Sequence, residues 1–93
     1  MIIGVVSWEL EIYGAQSLKE KRSVVRSLRD RLRKRHNLSV AETAHQDLWQ
    51  RAELTVCVVA SARTVAEQTL EAADRLVAEE GRARIIRTDR SFL

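Results

Sequence analysis

SLKEKRSVVRSLRDRLRKRH, from Ser17 to His36, decides how this 93-residue chain is read. Ser17-Leu-Lys-Glu20 fits a capping box. In that motif the Ser17 hydroxyl accepts from the Glu20 amide, and the Glu20 carboxylate reaches back to the Ser17 amide. Beyond it, Leu18, Val25, Leu28 and Leu32 share one arc at about 100° per residue, with Val24 at its edge. The stretch therefore reads as an amphipathic helix, α1, over residues 18–36, ended near Asn37. It also holds nine of the sixteen Lys and Arg residues, against only Glu20 and Asp30. Nine cations and two anions leave it at +7, while the other 73 residues, with seven basic and eleven acidic side chains, sum to −4. Such segregation argues for a surface that binds something anionic.

The flanks supply strands. Before α1, residues 2–13 alternate, with Val6, Trp8, Leu10 and Ile12 on one side and Ser7, Glu9 and Glu11 on the other. That period of two predicts a half-buried strand, β1, followed by a turn at Gly14-Ala15-Gln16. After α1, Leu38–Thr43 is a weaker strand, β2, with Val40 as its core residue. His45–Gln50 breaks the pattern and connects to β3, Ala52–Ser61, where Leu54, Val56, Val58 and Ala60 alternate with Glu53, Thr55, Cys57 and Val59. Thr64-Val-Ala-Glu67 reads as a second capping box opening α2, residues 64–80. Its buried stripe is Ala66, Leu70, Ala73 and Val77, flanked by Val65, Thr69 and Leu76. Gly81 suits the position after a helix where φ is positive. Residues 83–89 form a short, charged strand, β4, with Ile85 and Ile86 as its apolar content, which suits a sheet edge; Arg90–Leu93 stays unassigned.

The order β-α-β-β-α-β is the split βαβ, or ferredoxin-like, α+β pattern. Two helices would cover one face of a four-stranded antiparallel sheet. Helices on both faces do not fit, because β1 and β3 each have only one strongly apolar face.

Composition agrees with one small soluble domain spanning residues 1–93: 45% hydrophobic and 31% charged, with no proline and three glycines. A single cysteine, Cys57, excludes an intramolecular disulfide and a multi-thiolate metal site. It lies in a β-branched run and reads as an inert strand residue. MIIGVVSWELEI resembles neither a signal peptide nor a membrane span, so a cytoplasmic protein is expected. No catalytic, cofactor or metal signature is found, and no small-molecule substrate is expected.

The candidate site lies first on α1. Arg22, Arg26, Arg29 and Arg33 fall within about 60° of one another around the axis, in a stripe on the order of 16 Å long, and Lys19 extends it. With only Asp30 near their flank, these guanidiniums repel one another unless an anion lies against them, and Arg suits bidentate phosphate contacts. Lys21 is anomalous, because it sits inside the apolar arc. Its stem is expected to pack while its ammonium reaches an edge or a carboxylate. The second candidate is the connection from Glu42 to Arg51. There His45, Gln46, Trp49 and Arg51 could surround an unpaired base on an aromatic platform. Leu48 is expected to fold back on the core end, and Asp47 to cap a local turn. His45 with Asp47 lacks a nucleophile at an informative spacing. The open sheet face would carry Ser7, Glu9, Glu11, Glu53, Thr55 and Cys57. It has no aromatic residue on β1 or β3, so the base-stacking mode of RNA-recognition motifs is not expected.

SLKEKRSVVRSLRDRLRKRHNLSVAE followed by HQDLWQRAELTV resembles the DUF503, or YlxP-like, family of small bacterial proteins. Ser17–Arg22, Val40–Glu42 and His45–Ala52 carry the match, which spans nearly the whole chain. The resemblance implies a ferredoxin-like fold. It also implies a gene neighbourhood of translation-initiation and ribosome-maturation proteins, which makes RNA or the ribosome the leading partner. It brings no catalytic residues. One departure is the tail: this chain stops at Leu93, so contacts made by longer tails would be absent. The expected function is a non-enzymatic RNA-binding module for ribosomal RNA or small-subunit maturation. Phosphates would lie on the arginine stripe, and a base on Trp49, His45 and Gln46. The alternative is a protein-interaction module whose open sheet face forms a homodimer. A small enzyme using His45, Asp47 or the strand glutamates would need a pocket that nothing in the sequence marks.

Overall fold

The strict alternation of β1 has a direct structural result. In the computed structural model, which describes all residues from Met1 to Leu93, Val6, Trp8, Leu10 and Ile12 are buried while Ser7, Glu9 and Glu11 stay partly open. The elements are β1 Ile2–Ile12, α1 Leu18–Arg35, β2 Ser39–Ala44, β3 Arg51–Ala60, α2 Arg63–Ala78 and β4 Ala83–Phe92. The sheet order is β2-β3-β1-β4, with every neighbouring pair antiparallel. This is the βαββαβ fold, with both helices packed on the inward residues of the sheet and the other face bare. Leu54, Val56 and Val58 of β3 meet Val25, Leu28 and Leu32 of α1 and Leu70, Ala73 and Val77 of α2 in one core. Leu18 is only half-buried, and Val24, at the edge of the arc, is buried in its stead.

Trp8 shows how the core tolerates polarity. Its side chain is fully buried, and its Nε1 donates to Asp74 Oδ1 on α2 at 2.7 Å. A buried indole N–H without an acceptor would be costly, so this bond fixes α2 against β1. Asp74 is held in turn by Arg90 of β4.

Several local expectations are corrected. The Ser17 cap forms, with the Glu20 amide donating to Ser17 Oγ at 3.1 Å, but Glu20 Oε2 accepts from the Gln16 amide, not from that of Ser17. Helix α1 stops at Arg35, and the amide of its C-cap, His36, still donates to Leu32 O at 3.0 Å. Helix α2 starts one residue early, at Arg63, after an N-cap, Ala62, that makes no side-chain bond. Thr64 thus lies inside the first turn and caps nothing. Arg63 instead stacks 4.1 Å over the Phe92 ring and pairs with Glu67, which draws that carboxylate away from any capping role. Gly81 does not adopt positive φ, because Glu79 closes α2 in a right-handed conformation. The left-handed residues are Gly14 and His45, both at φ 64°.

Strand β4 runs on to Phe92, so the unassigned residues 90–92 belong to it. β1 is eleven residues long, and its pairing with β4 extends to Gly4 opposite Phe92. Gly4 permits this, since a Cβ there would lie 3.0 Å from Leu70 Cδ1 and 3.2 Å from Phe92 Cε1. A register shift between Glu9 and Leu10 leaves Ile86 as the extra, exposed residue of a bulge on this edge.

Candidate functional site

Lys21 sets the geometry. It is fully buried, and its ammonium donates to His45 O at 2.7 Å and Gln46 O at 3.4 Å. Glu42 Oε2 lies 2.5 Å away as its counter-ion, although it accepts no well-directed hydrogen bond. The expected carboxylate is therefore Glu42, on β2. One side chain of α1 thereby ties the helix to the edge strand and to the hairpin connection. The next turns of α1 run beside β2, where Arg33 reaches Val40 O.

That placement creates a cleft. Arg22, Arg26 and Arg29 line a cavity of about 220 Å³ together with Val25 and Glu42. Arg22 and Arg26 continue into a neighbouring depression of about 400 Å³ with Lys19 and Ser23. Arg33 leaves the group, because its Nη2 donates to Val40 O on β2 at 3.1 Å. It covers a carbonyl of the edge strand. Seven of the arginines outside the stripe, Arg31, Arg51, Arg63, Arg82, Arg84, Arg87 and Arg90, each lie within 4 Å of a carboxylate, while Arg35 and Arg75 do not. Arg22, Arg26 and Arg29 have none, and Arg29 Nε is buried with no hydrogen-bond partner at all.

The connection from β2 to β3 is organised differently from the expected base platform. His45 Nε2 lies 2.8 Å from Glu9 Oε1, and Arg51 Nη1 lies 3.8 Å from the same oxygen. The Gln46 amide group donates to Glu42 O at 3.3 Å. Trp49 is 52% exposed and Leu48 48%, so Leu48 does not plug the core. Within the turn the Leu48 amide donates to His45 O at 3.1 Å, and Asp47, expected to cap it, makes no hydrogen bond. Gln50 clamps the far side of the turn, accepting from the Ile12 amide at 2.9 Å and donating to Ala15 O at 3.1 Å. Leu48 and Trp49 face an open depression of about 580 Å³ with Glu11, Gln50 and Arg51. It shares no residue with the arginine cleft, so the structure brings Lys19, Arg22, Arg26 and Arg29 together and leaves Trp49 and Arg51 apart from them.

On the open sheet face the charges mostly satisfy one another. Arg84 lies 3.2 Å from Glu11, and Arg87 3.0 Å from Asp89. Ser7 and Thr55 are hydrogen-bonded at 2.8 Å, and Thr43 joins Thr55 and Glu53. The other end of that face is less polar, with Ile3, Val5, Cys57 and the exposed Val59. No three His, Cys, Asp or Glu side chains are grouped as a metal ion requires. No helix is long and apolar enough to cross a membrane.

Glu80 was invisible in the sequence, because it follows α2 in a stretch with no distinctive pattern. It is buried and accepts from Arg31 Nη2 at 2.5 Å and from Arg82 through the amide, Nε and Nη2. The Arg82 side-chain bonds, aided by Arg31 and opposed by burial, hold its carboxyl at a pKa of about 2. Arg82 is raised in return, first by its bond to Glu80. This cluster is structural and lies outside the arginine cleft.

Comparison with known proteins agrees with this architecture. A de novo designed protein with a ferredoxin fold superposes with a TM-score of 0.57 at 13% identity, covering 99% of this chain and 85% of that one. SnoaB, a cofactor-independent oxygenase from Streptomyces nogalater, gives 0.54 at 7% identity over 99% and 90% of the two chains. At such identities the likeness shows the fold alone. In sequence, the uncharacterized protein YlxP of Bacillus subtilis (strain 168) is 39% identical over 70 residues, 75% of this chain and 76% of that protein. The family model described as DUF503, protein of unknown function, matches residues 3–90. With that match over nearly its whole length, the chain belongs to the DUF503 family.

Proposed function

We propose that the protein is a non-enzymatic RNA-binding module that lays the phosphate backbone of structured RNA along α1. Ribosomal RNA of the small subunit is the first candidate, from the gene neighbourhood that the family resemblance implies. One observation carries the reading: three guanidiniums without a carboxylate partner converge on one cleft, in a chain that pairs seven of its other arginines with acids. Lys19 lengthens the same surface. Unpaired Arg on a solvent-facing helix suits phosphate, which accepts the planar fork in bidentate fashion. The shared phosphate surface would position the RNA without reading its sequence.

Four cations in contact predict that log K falls against log salt with a slope of roughly −3 to −4. Reversing charge in the Arg26→Glu, Arg29→Glu double variant is expected to abolish RNA binding in a filter or mobility-shift assay. The circular dichroism spectrum should be unchanged, since neither residue supports the core. Unaltered affinity in a folded double variant would refute the proposal.

A further inference from the structure

We propose that the cleft of Arg22, Arg26 and Arg29 is a seat for a dianionic phosphomonoester, such as the terminal phosphate of an RNA strand, and not merely part of a phosphodiester track. The inference rests on the reading of this surface as one that binds phosphate. Three features of the cleft go beyond a basic stripe.

The first is charge. The three guanidiniums contribute about +3 in one place, and the only acid on the wall, Glu42, is already neutralised by Lys21 at 2.5 Å. A phosphodiester brings a single negative charge, whereas a monoester carries about −1.5 to −2 at neutral pH and offers three acceptor oxygens. The second is shape. The cavity is about 220 Å³ and is lined by four residues of α1 and by Glu42 of β2. A chain end can enter such a space more fully than an internal phosphate, which must carry sugar and strand through both sides. The third is an unmet donor. Arg29 Nε is shielded from solvent and has no acceptor in the protein, so an oxyanion held by the guanidinium would meet that donor once the side chain turns toward the cleft. Arg33, one turn further on, shows the contrast: its guanidinium already donates to Val40 O.

The test uses the full chain and one single-stranded RNA oligonucleotide in two forms, with a 5′-phosphate and with a 5′-hydroxyl. The phosphorylated form is expected to bind about tenfold more tightly at pH 7.5, with the advantage shrinking at pH 5 as the second ionisation near pH 6 is reversed. Inorganic phosphate should compete, and should shift the Arg29 Nε–Hε resonance in NMR spectra of labelled protein. Arg29→Ala should remove the preference. Arg29→Lys, which keeps the charge but not the planar fork, should lose most of the discrimination between the two forms, read as the ratio of their affinities.

Equal affinity for the two oligonucleotides, with both lost in the Arg26→Glu, Arg29→Glu variant, would overturn the phosphomonoester seat and leave the RNA-binding reading intact. Phosphate shifting the Arg29 resonance in a protein that binds neither oligonucleotide would do the reverse. An Arg29 resonance that inorganic phosphate does not move would overturn the seat by itself.

Discussion

Lys21 carries its charge where the helix should be apolar, and its surroundings explain why that is tolerated. The ammonium has two carbonyl acceptors and a carboxylate counter-ion, so it is buried but fully compensated. Removing it strands Glu42 and the Gln46 carbonyl, while His45 O keeps the Leu48 amide. Lys21→Met is expected to cost about 3 kcal/mol in urea unfolding, because breaking a buried pair on one side leaves an uncompensated charge. Combining it with Glu42→Met should recover part of that loss, which a double-mutant cycle would measure. Lys21 also bears on His45, since it holds the carbonyl of a residue whose φ is 64°. Left-handed backbone at a non-glycine residue is uncommon, and here it turns the His45 carbonyl toward the helix while the ring reaches Glu9. The basic helix and the open sheet face thus share one residue.

At the scale of the element, the two helices begin differently, and their sequences conceal it. Both have Ser or Thr followed three residues later by Glu, yet only Ser17 caps its helix. Ser17→Ala is therefore expected to lower stability by about 1 kcal/mol, and Thr64→Ala by less than about 0.5 kcal/mol, in thermal or urea unfolding. Periodicity made β1, β3, α1 and α2 legible, because alternation in the two strands and the apolar arcs of the two helices follow directly from burial on one side. What could not be read depended on distant partners. Arg63, the first residue of α2, stacks on Phe92, twenty-nine residues away. β4 is long because β1 needs a partner along its length, although its own residues are mostly exposed and charged. The arginine stripe of α1 was visible as a pattern, but which of its members are free was not. Arg33 is diverted by a carbonyl of β2, a contact that only the packing of helix on edge strand creates.

For the molecule as a whole, α1 is fastened near both ends by ionic contacts. Lys21 holds its first half to β2 and the hairpin, and Arg31 holds its second half to Glu80 at the α2–β4 corner. The Glu80 cluster joins three elements and is sensitive to acid. Its folded-state pKa, about 2, lies below the ordinary value of 4.5, so its contribution is complete above about pH 4.5 and disappears as pH falls through about 2. Discounted for the half-exposed Arg82, that contribution is about 2 kcal/mol. Glu80→Gln should lower the unfolding temperature at pH 7 and flatten its decline between pH 4.5 and 2. A wild-type decline that persists unchanged in the variant would place the acid sensitivity elsewhere.

The two indoles divide the molecule into an inside and an outside. Trp8 is sealed in the core against Asp74, whereas Trp49 stands at the rim of the hairpin with half its surface in solvent. The chain therefore contains two intrinsic optical reporters in opposite environments. Light emitted at the blue end of the tryptophan range follows the integrity of the core, and light at the red end follows whatever touches the hairpin. Folding and docking can thus be watched separately in the same cuvette, without a label.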